Sequence, residues 1–515
     1  MEKRRVRFAP SPTGPLHMGG VRTALYNYLY AKQVGGDFIL RIEDTDSTRF
    51  VPGAEEYIIE ALRWCGITPN EGIDENGKVV EIPSEKHPHA PYRQSQRRGI
   101  YRKYADYLVE KGYAYYAFDT AEELSALRAE AEEQKRTFTY NWETRGSLRN
   151  SLTLPEEEIE RLLKETDNWT IRFKIPENRI VVMEDLIRGH IEVNSNTLDD
   201  KVLWKKADEL PTYHLANIVD DHLMEVTDVI RGEEWLPSLP LHYLLYEAFG
   251  WQDVRPNFAH LSLLLKPDGK GKLSKRDGDK MGFPVFPLKW VNAEGEVTRG
   301  YREDGYYAES FVNLLAMLGW NPGTEQELFD LDELAQAFSI DRVVKSGARF
   351  NPDKAKWFNQ EYLRKRSTEQ LVAEFRSLNP EKTAAFDDKY IGSVLELMKE
   401  RAHFAYELWD LTSYFFDAPQ TYDEASVKKF WKDEVKDIIP KVQEWLASAD
   451  WDMDILENGL HELITSNEWP MGKVMNTLRL FLVGVSKGPG IADLMAILGK
   501  DEVMARIDNA IAKLG

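Results

Sequence analysis

The chain has 515 residues, too many for a single hydrophobic core, so we expect three to four domains of roughly 100–200 residues each. Hydrophobic residues make up 43% of the chain and charged residues 30%, a balance that excludes a disordered protein. The net charge of −20 argues against nucleic acid binding over the whole surface, although not against basic residues clustered on one face.

The first predicted elements form a strand–turn–helix–strand unit. Arg4–Phe8 is a short strand that three prolines bring to an end. After HMGG, at His17 to Gly20, apolar residues at spacings of three and four predict a helix, which Gly35-Gly36 is expected to stop. FILRI from Phe38 follows as a second buried strand. The first turn of such a βαβ unit is a place where ligands bind.

This α/β pattern persists to about residue 111 and then changes. AEELSALRAEAEEQKR and LPEEEIERLLKE predict charged helices, and TIRFKIP and RIVVMEDLIRGHIEV predict short strands. We expect an inserted α+β module here. KVLWK, TYHLANIVDDHLMEVTDVIRG, LHYLLYEAFGW and FAHLSLLL then resume the alternation of strands and helices. The simplest architecture is a doubly wound α/β fold interrupted by an insertion.

The rest of the chain predicts a loop and then helices. Residues 270–278 form a loop rich in Gly, Lys and Asp, and the role of residues 281–305 is open. After Ala308 the periodicity is helical. The predicted domains are 1–111 and 192–265 for the two halves of the α/β fold, 112–191 for the insertion, 266–345 for a connecting region, and 346–515 for an all-helical region.

Two motifs favour a nucleotide site. A histidine at a helix start can donate a hydrogen bond to a phosphate oxygen, and the glycines of HMGG let that anion approach backbone N–H groups. KLSKR, Lys272 to Arg276, is a cationic loop suited to a triphosphate that loses pyrophosphate. Taken alone, HMGG could instead be a helix-capping histidine. Taken alone, KLSKR could instead be a solvated turn.

Three basic clusters are candidates for RNA contact. They are RQSQRRGIYRKY from Arg93, KPDGKGKLSKR from Lys266, and the basic residues between Lys345 and Arg366. A solvated face is the alternative for each. Aromatic neighbours offer surfaces for base stacking: Tyr92, Tyr101, Tyr104, Phe350, Trp357, Phe358 and Tyr362.

Cysteine content and hydropathy indicate the compartment. The single Cys65 excludes internal disulfides and multi-cysteine zinc sites, and a free structural thiol is its simplest interpretation. No apolar run is long enough to cross a bilayer, and the first residues lead into a strand. We therefore expect a cytoplasmic protein without a membrane partner.

FAPSPTGPLHMGG, RIEDTD, TYHLANIVDDHLMEVTDVIRGEEW and KLSKR, in this order, resemble the bacterial glutamyl-tRNA synthetases, which are class I aminoacyl-tRNA synthetases. The resemblance implies a Rossmann-type doubly wound catalytic domain with an inserted α+β module and an all-α C-terminal anticodon-binding region. It implies activation of L-glutamate by ATP and transfer of the glutamyl group to the 3′-terminal adenosine of tRNA(Glu). Mg²⁺ would arrive with ATP. Because the chain has one cysteine, the structural zinc that some relatives carry is not expected. A monomer is expected.

The resemblance also assigns site residues. The catalytic residues would be His17, Lys272 and Lys275, and the ATP-binding set adds Gly19, Gly20, Leu273, Ser274 and Arg276. The glutamate-binding residues would be Arg7, Ala9, Ser11, Glu43, Tyr213, Asn217 and Arg231. Glu43 suits the ammonium group, and the two arginines suit the two carboxylates, without indicating which holds the γ-carboxylate. The alternative for these arginines is an ion pair with Asp44, Asp46, Asp220 or Asp221.

Two features of these motifs stay open. Gly20 stands where many class I enzymes have a second histidine, so the contact made at that position is undefined. RIEDTD is a weak candidate for a metal cluster, because alternate residues of a strand point to opposite faces. No metal ligand is predicted.

For RNA, the resemblance assigns the acceptor end to the insertion, the inner stem to residues 308–341 and the anticodon to the helical third. Arg349 and Arg364 are the predicted tRNA contacts. Arg364 would read the last anticodon base, or contact a phosphate, or be a surface residue. Discrimination between tRNA(Glu) and tRNA(Gln) is therefore open.

Two rival functions are disfavoured. A glutaminyl-tRNA synthetase would end in β-barrels rather than helices. An RNA-binding or regulatory descendant of a synthetase would normally have lost His17, Lys275 or the arginines, which are present here.

Overall fold

The computed structural model describes residues 3–515, which divide into two compact units at Ala355 and Lys356. The first unit contains, in chain order, β1 Arg5–Phe8, α1 Met18–Gln33, β2 Asp37–Leu40, α2 Ala54–Trp64, α3 Arg98–Glu110, β3 Ala114–Ala117, α4 Ala121–Glu133, α5 Glu156–Glu165, β4 Thr170–Phe173, β5 Ile180–Asp185, β6 Gly189–Asn194, β7 Val202–Lys205 and β8 Leu210–Pro211. It continues with α6 Tyr213–Leu223, β9 Asp228–Gly232, α7 Leu239–Ala248, β10 Asn257–Leu261, β11 Leu264–Leu265, α8 Lys275–Met281, β12 Trp290–Val291, β13 Val297–Thr298, α9 Ala308–Met317, α10 Leu331–Ala337 and β14 Ala348–Arg349. None of the helices within the described residues has the length and apolar character needed to cross a bilayer.

The central sheet joins strands that are far apart in the chain. β1 pairs in parallel with β2, and β9 pairs in parallel with β10. The backbone N–H of Thr227, next to β9, donates to the Arg5 carbonyl of β1 over 2.9 Å. β5 adds in parallel beside β10, and β6 closes the edge antiparallel to β5. The connections from β1 therefore run to opposite sides of it, which is the arrangement that opens a ligand crevice in doubly wound folds.

Helix α1 covers this sheet with a buried apolar stripe. Val21, Leu25 and Leu29 recur every four residues and are fully buried. The chain then turns back into β2 at Gly36, where a Cβ atom would lie 2.4 Å from the Arg4 carbonyl oxygen. Only glycine fits this approach. The helix itself ends through Gly35, whose φ of +64° is left-handed, and the Gly36 N–H donates back to the Ala31 carbonyl over 2.8 Å.

A second, antiparallel sheet has the order β3-β4-β7-β8, and its membership differs from the prediction. KVLWK is predicted in the resumed α/β fold, but as β7 it pairs with β4 of the insertion. RIVVMEDLIRGHIEV is predicted in the insertion, but as β5 and β6 it joins the central sheet. Periodicity identifies a strand without identifying its partner, which explains the error. The boundaries of the predicted domains stay predictions.

Residues 270–305 are more regular than expected. The second half of the predicted 270–278 loop is helical, because α8 begins at Lys275. Ser274 caps this helix through a reciprocal pair of hydrogen bonds with Asp277. Further on, β12 and β13 form a short antiparallel pair.

The region after β14 is built from helices. Its elements are α11 Pro352–Lys365, α12 Thr368–Leu378, α13 Pro380–Thr383, α14 Asp388–Met398, α15 Glu407–Phe416, α16 Glu424–Phe430, α17 Asp433–Lys436, α18 Ile439–Ser448, α19 Met453–Ser466, α20 Met471–Val483, α21 Ile491–Leu498 and α22 Lys500–Leu514. Buried leucine, isoleucine and valine side chains hold the second unit together, among them Leu395, Val442, Leu478 and Ile507. The prediction of an all-helical last third is confirmed.

Candidate active site

A cavity of about 690 Å³ opens where β1 and β9 end. This is the switch point of the central sheet, where doubly wound folds bind their ligands. Predicted site residues that line it are Arg7, Ala9, Ser11, His17, Gly20, Glu43, Tyr213, Asn217, Arg231 and Lys275. The structure thus places all seven predicted glutamate-binding residues around one cavity, together with His17 and Lys275 from the two distant motifs.

His17 combines a capping role with a free donor. Its Nδ1 accepts the backbone N–H of Gly19 over 3.1 Å, so the ring hydrogen is on Nε2. Nε2 is buried and has no hydrogen-bond partner among residues 3–515. Burial and the positive charge of Lys272 lower the pKa of His17 to about 4, so the ring is neutral near pH 7. The side chain therefore offers one oriented N–H donor at the cavity wall.

Arg7 belongs to a buried row of alternating charges. Its Nε and Nη2 donate to Asp221 over 3.1 and 3.2 Å. Asp221 also accepts from Nη1 of Arg41 over 2.7 Å, and Nη2 of Arg41 donates to Glu43 over 2.9 Å. Burial opposes ionisation of Asp221, but Arg7 and Arg41 outweigh burial and lower its pKa. The row fixes one cation, Arg7, and one anion, Glu43, at the cavity. The ion pair with Asp221, considered as an alternative to ligand binding by Arg7, is also present.

Glu43 and Asn217 place acceptors side by side. Burial raises the pKa of Glu43, and the charges of Arg41 and Arg7 oppose that rise. Nδ2 of Asn217 donates to Glu43 Oε1 over 3.3 Å. Oδ1 of Asn217 is buried without a hydrogen-bond partner in the described part of the chain. A carboxylate beside an unpaired amide oxygen suits an ammonium ligand.

Arg231 is the second buried guanidinium at the cavity. Its Nη1 donates to the Tyr213 hydroxyl over 2.9 Å, and its Nε donates to His260 Nε2 over 3.0 Å. Tyr213 packs against Trp235 with ring centroids 4.3 Å apart. Two buried guanidinium groups and one buried carboxylate, those of Arg7, Arg231 and Glu43, therefore face one space, which matches the charges of an amino acid with two carboxylates.

Only part of the KLSKR motif, Lys272 to Arg276, lies at the cavity. Lys275 lines the cavity as the first residue of α8, whereas Leu273 is buried in the core and Ser274 caps the helix. Gly20 lines the cavity, and a Cβ there would lie 2.5 Å from Leu16 Cδ1. Predicted ATP-binding residues that do not line the cavity are Gly19, Lys272, Leu273, Ser274 and Arg276. Their role in ATP binding stays a prediction.

Several lining residues were not predicted. They are Thr13, Arg49, Gly232, Glu234, Trp235, Phe286, Trp290, Asn292 and Thr298, among others. The last four come from residues 281–305, whose role was open. This segment reaches the cavity through a tertiary contact, in which the Met18 N–H donates to the Val285 carbonyl over 2.9 Å. No local pattern could have indicated that contact.

The structure corrects the basic cluster that starts at Arg93. Arg97 is buried and donates to Asp220 over 2.7 Å, and Arg93 pairs with Glu55 over 2.6 Å. Four of the aromatic residues proposed for base stacking are buried, namely Tyr92, Tyr101, Phe350 and Phe358. These four rings are core side chains and offer no stacking surface: Tyr92 and Tyr101 belong to the cluster at Arg93, and Phe350 and Phe358 to the one between Lys345 and Arg366. RNA contact by the exposed basic residues of these clusters stays a prediction.

Metal binding by RIEDTD finds no support. Asp44 accepts the backbone N–H of Ser95 over 2.7 Å and its hydroxyl over 2.6 Å. Across residues 3–515, no group of three or more His, Cys, Asp or Glu residues is arranged to hold a metal ion. Cys65 is buried, which raises the pKa of its thiol.

The fold and the cavity define a class, and comparison with known families names it. Residues 3–357 match the family described as tRNA synthetases class I (E and Q), catalytic domain, and residues 363–511 match an anticodon binding domain. The chain belongs to the class I tRNA synthetases. The predicted combination of a doubly wound catalytic domain and an all-α anticodon-binding region is confirmed.

The relatives narrow the family further. Glutamate–tRNA ligases from Porphyromonas gingivalis and Christiangramia forsetii are 54% and 52% identical, and each alignment covers 99% of both chains. The crystal structure of a glutamate tRNA ligase from Elizabethkingia meningosepticum in complex with its amino acid has a TM-score of 0.93 at 53% identity, covering 100% of both chains. Within its class, the chain belongs to the glutamate–tRNA ligases.

Proposed function

We propose that this protein activates L-glutamate with ATP and transfers the glutamyl group to the 3′-terminal adenosine of tRNA(Glu), releasing AMP and pyrophosphate. One observation carries the proposal: a single cavity is lined by His17 and Lys275 together with Arg7, Arg231 and Glu43. The first pair suits a triphosphate, and the other three suit an amino acid with two carboxylates.

In the first step, a carboxylate oxygen of glutamate attacks the α-phosphorus of ATP, and pyrophosphate leaves. The protein needs no nucleophile of its own, because positioning and charge stabilisation are sufficient. His17 donates Nε2–H to a phosphate oxygen, and Lys275 offsets the charge that grows on the departing pyrophosphate. Mg²⁺ enters with the phosphates of the substrate.

Glutamate is held by both of its charge types. Its ammonium group meets the carboxylate of Glu43 and Oδ1 of Asn217, and its carboxylates meet the guanidinium groups of Arg7 and Arg231. Because all four side chains are buried, the charges act where water screens them little.

RNA binding is divided between the two units. We assign the acceptor end to the module that contains the β3-β4-β7-β8 sheet and the anticodon to the helical region. After β14, the described residues form helices and their connections, which favours a glutamate enzyme over a glutaminyl relative ending in β-barrels. The monomeric state, the cytoplasmic location and the contact of Arg349 with tRNA stay predictions.

Charging assays test the function. Purified protein with ATP should attach radiolabelled glutamate to tRNA(Glu) efficiently and should not attach glutamine to either tRNA. The matched reactions use tRNA(Glu) and tRNA(Gln), each with glutamate and with glutamine. Absence of glutamyl-tRNA(Glu) would refute the proposal.

Replacement of Arg364 with glutamine should raise attachment of glutamate to tRNA(Gln) by about tenfold or more, because an arginine that reads a base contributes roughly this much to discrimination. In the free protein Arg364 pairs with Glu361 over 2.8 Å and with Glu400 over 3.0 Å. A base would have to displace at least one of these carboxylates. The measurement is kcat/KM for both tRNAs.

The matched control for that variant is Lys365→Gln, which removes one positive charge from the next position of the same helix. It should weaken the binding of both tRNAs to the same extent, as loss of a phosphate contact would. If Arg364→Gln also changes kcat/KM for both tRNAs equally, Arg364 does not read the anticodon.

A further inference from the structure

A buried row of three side chains ends on Arg231. Nε of Arg231 donates to His260 Nε2 over 3.0 Å, and His260 Nδ1 lies 2.6 Å from Asp185 Oδ2. The other oxygen of Asp185 accepts the backbone N–H groups of Ile187 and Arg188 over 2.9 and 2.8 Å. The side chains of His260 and Asp185 are fully buried, and neither residue lines the cavity.

Chemistry at both ends fixes the state of His260. A guanidinium has only donors, so His260 Nε2 must be an acceptor and the ring hydrogen must be on Nδ1. That hydrogen is donated to Asp185, whose carboxylate can only accept. Burial opposes ionisation of Asp185, but the hydrogen bonds from His260 and from the backbone outweigh burial and lower its pKa. The three groups therefore have one consistent arrangement of hydrogens.

The row also decides which edge of Arg231 is available. A guanidinium can hold a carboxylate through Nε and one Nη, or through its two Nη groups. His260 occupies Nε, and Nη1 donates to the Tyr213 hydroxyl. Two longer contacts complete the set: Nη1 lies 3.4 Å from His242 Nδ1, and Nη2 donates to the Trp235 carbonyl over 3.4 Å. A ligand in the cavity consequently contacts the Nη groups. The direction in which these groups point is set by the hydrogen bonds that hold the rest of the guanidinium.

We propose that Asp185 and His260 are positioning residues that orient the Arg231 guanidinium for a substrate carboxylate through a fixed histidine tautomer. The proposal rests on the proposed function, because it takes glutamate as the ligand of Arg231. It adds that selection of the amino acid depends on a carboxylate at the end of β5, which lies outside the cavity.

Asp185→Asn is the direct test, because it changes almost no volume. Oδ1 of the new amide keeps the two backbone N–H groups, so its NH₂ group replaces Oδ2 and faces His260 Nδ1. The ring hydrogen must then move to Nε2, where it opposes the N–H of Arg231. We expect KM for glutamate to rise about tenfold or more, the scale of one lost hydrogen bond to a charged group. KM for ATP and kcat at saturating glutamate should stay within about threefold, because only ground-state binding of glutamate is altered.

Three readouts are taken on the full chain with tRNA(Glu) present: both KM values, the melting temperature, and the His260 tautomer by ¹⁵N NMR. Asp228→Asn is the matched control, a buried aspartate at the other end of the strand that carries Arg231. It should leave KM for glutamate unchanged. A moved hydrogen with an unchanged KM for glutamate, or a parallel rise in both KM values, would overturn the proposal.

A second pair of variants keeps the test independent of Asp185. In His260→Gln the amide oxygen can still accept from Arg231, whereas in His260→Asn the shorter amide reaches only towards Asp185. KM for glutamate should rise several-fold more in His260→Asn than in His260→Gln, and equal values would contradict the proposed orientation. Failure of the wild-type protein to charge tRNA(Glu) would instead overturn the proposed function.

Discussion

Replacing His17 with alanine is expected to slow glutamyl-adenylate formation by about 10²–10³-fold, the usual cost of removing one donor from a transition-state oxygen. Glutamate binding should change by no more than about twofold, because the groups assigned to glutamate are Arg7, Arg231 and Glu43. The rate is measured by glutamate-dependent pyrophosphate exchange in the presence of tRNA(Glu), and binding is measured by calorimetry.

His17→Ser separates the two roles of this side chain. Serine at this position can still accept the Gly19 N–H as a helix cap, but it has no donor where Nε2 stood. The rate should therefore stay low while stability recovers. His190→Ala, on the exposed face of β6, is the control and should behave as wild type. Equal losses of rate and of glutamate affinity in His17→Ala would mean that the histidine only shapes the cavity.

Replacing Asp221 with alanine should lower the free energy of unfolding of the first unit by about 3–5 kcal/mol, because it leaves buried cations without their carboxylate. Arg7 loses its ion pair, and Arg41 retains only Glu43. KM for glutamate should also rise, since Arg7 then loses the carboxylate that fixes it at the cavity. Urea unfolding followed by tryptophan fluorescence measures the first effect, and charging assays measure the second.

The contribution of the Asp221 carboxylate to the free energy of unfolding depends on pH in a defined direction. The folded-state pKa of Asp221 is lowered, so its stabilisation is fully present above the unfolded carboxyl pKa of about 3.9. It is lost as the pH falls through the folded pKa. The gap between wild type and Asp221→Ala should be constant from about pH 5 to 8 and shrink only below about pH 4. Asp46→Ala, an exposed carboxylate, is the control. A gap below about 1 kcal/mol at pH 7, the size expected of an exposed pair, would contradict the role given to the buried row.

Local chemistry made part of this structure predictable. The first helix, which begins at Met18 within HMGG, its stop at Gly35-Gly36 and the helical last third follow from spacing and from glycine. The site residues were assigned by the family resemblance, and the structure gathers Arg7, Glu43, Tyr213 and Arg231 around one cavity.

What stayed hidden depends on partners distant in sequence. Asp221 was one of four carboxylates considered for the arginines, and only tertiary packing selects it and adds Arg41. The same holds for β7, whose pattern is that of any buried strand, and for His260, which looked like an ordinary residue of FAHLSLLL. A sequence pattern states that a residue is buried or charged, but it does not state what that residue faces.

The sheet has a consequence for synthesis of the chain. Arg5 of β1 meets Thr227, next to β9, although the two residues are 222 positions apart. At typical elongation rates of about 5–20 residues per second, a nascent chain carries β1 with one unpaired edge for roughly 10–45 s before its neighbour leaves the ribosome. Unpaired strand edges invite wrong association, so this interval is when the growing polypeptide most needs shielding by chaperones.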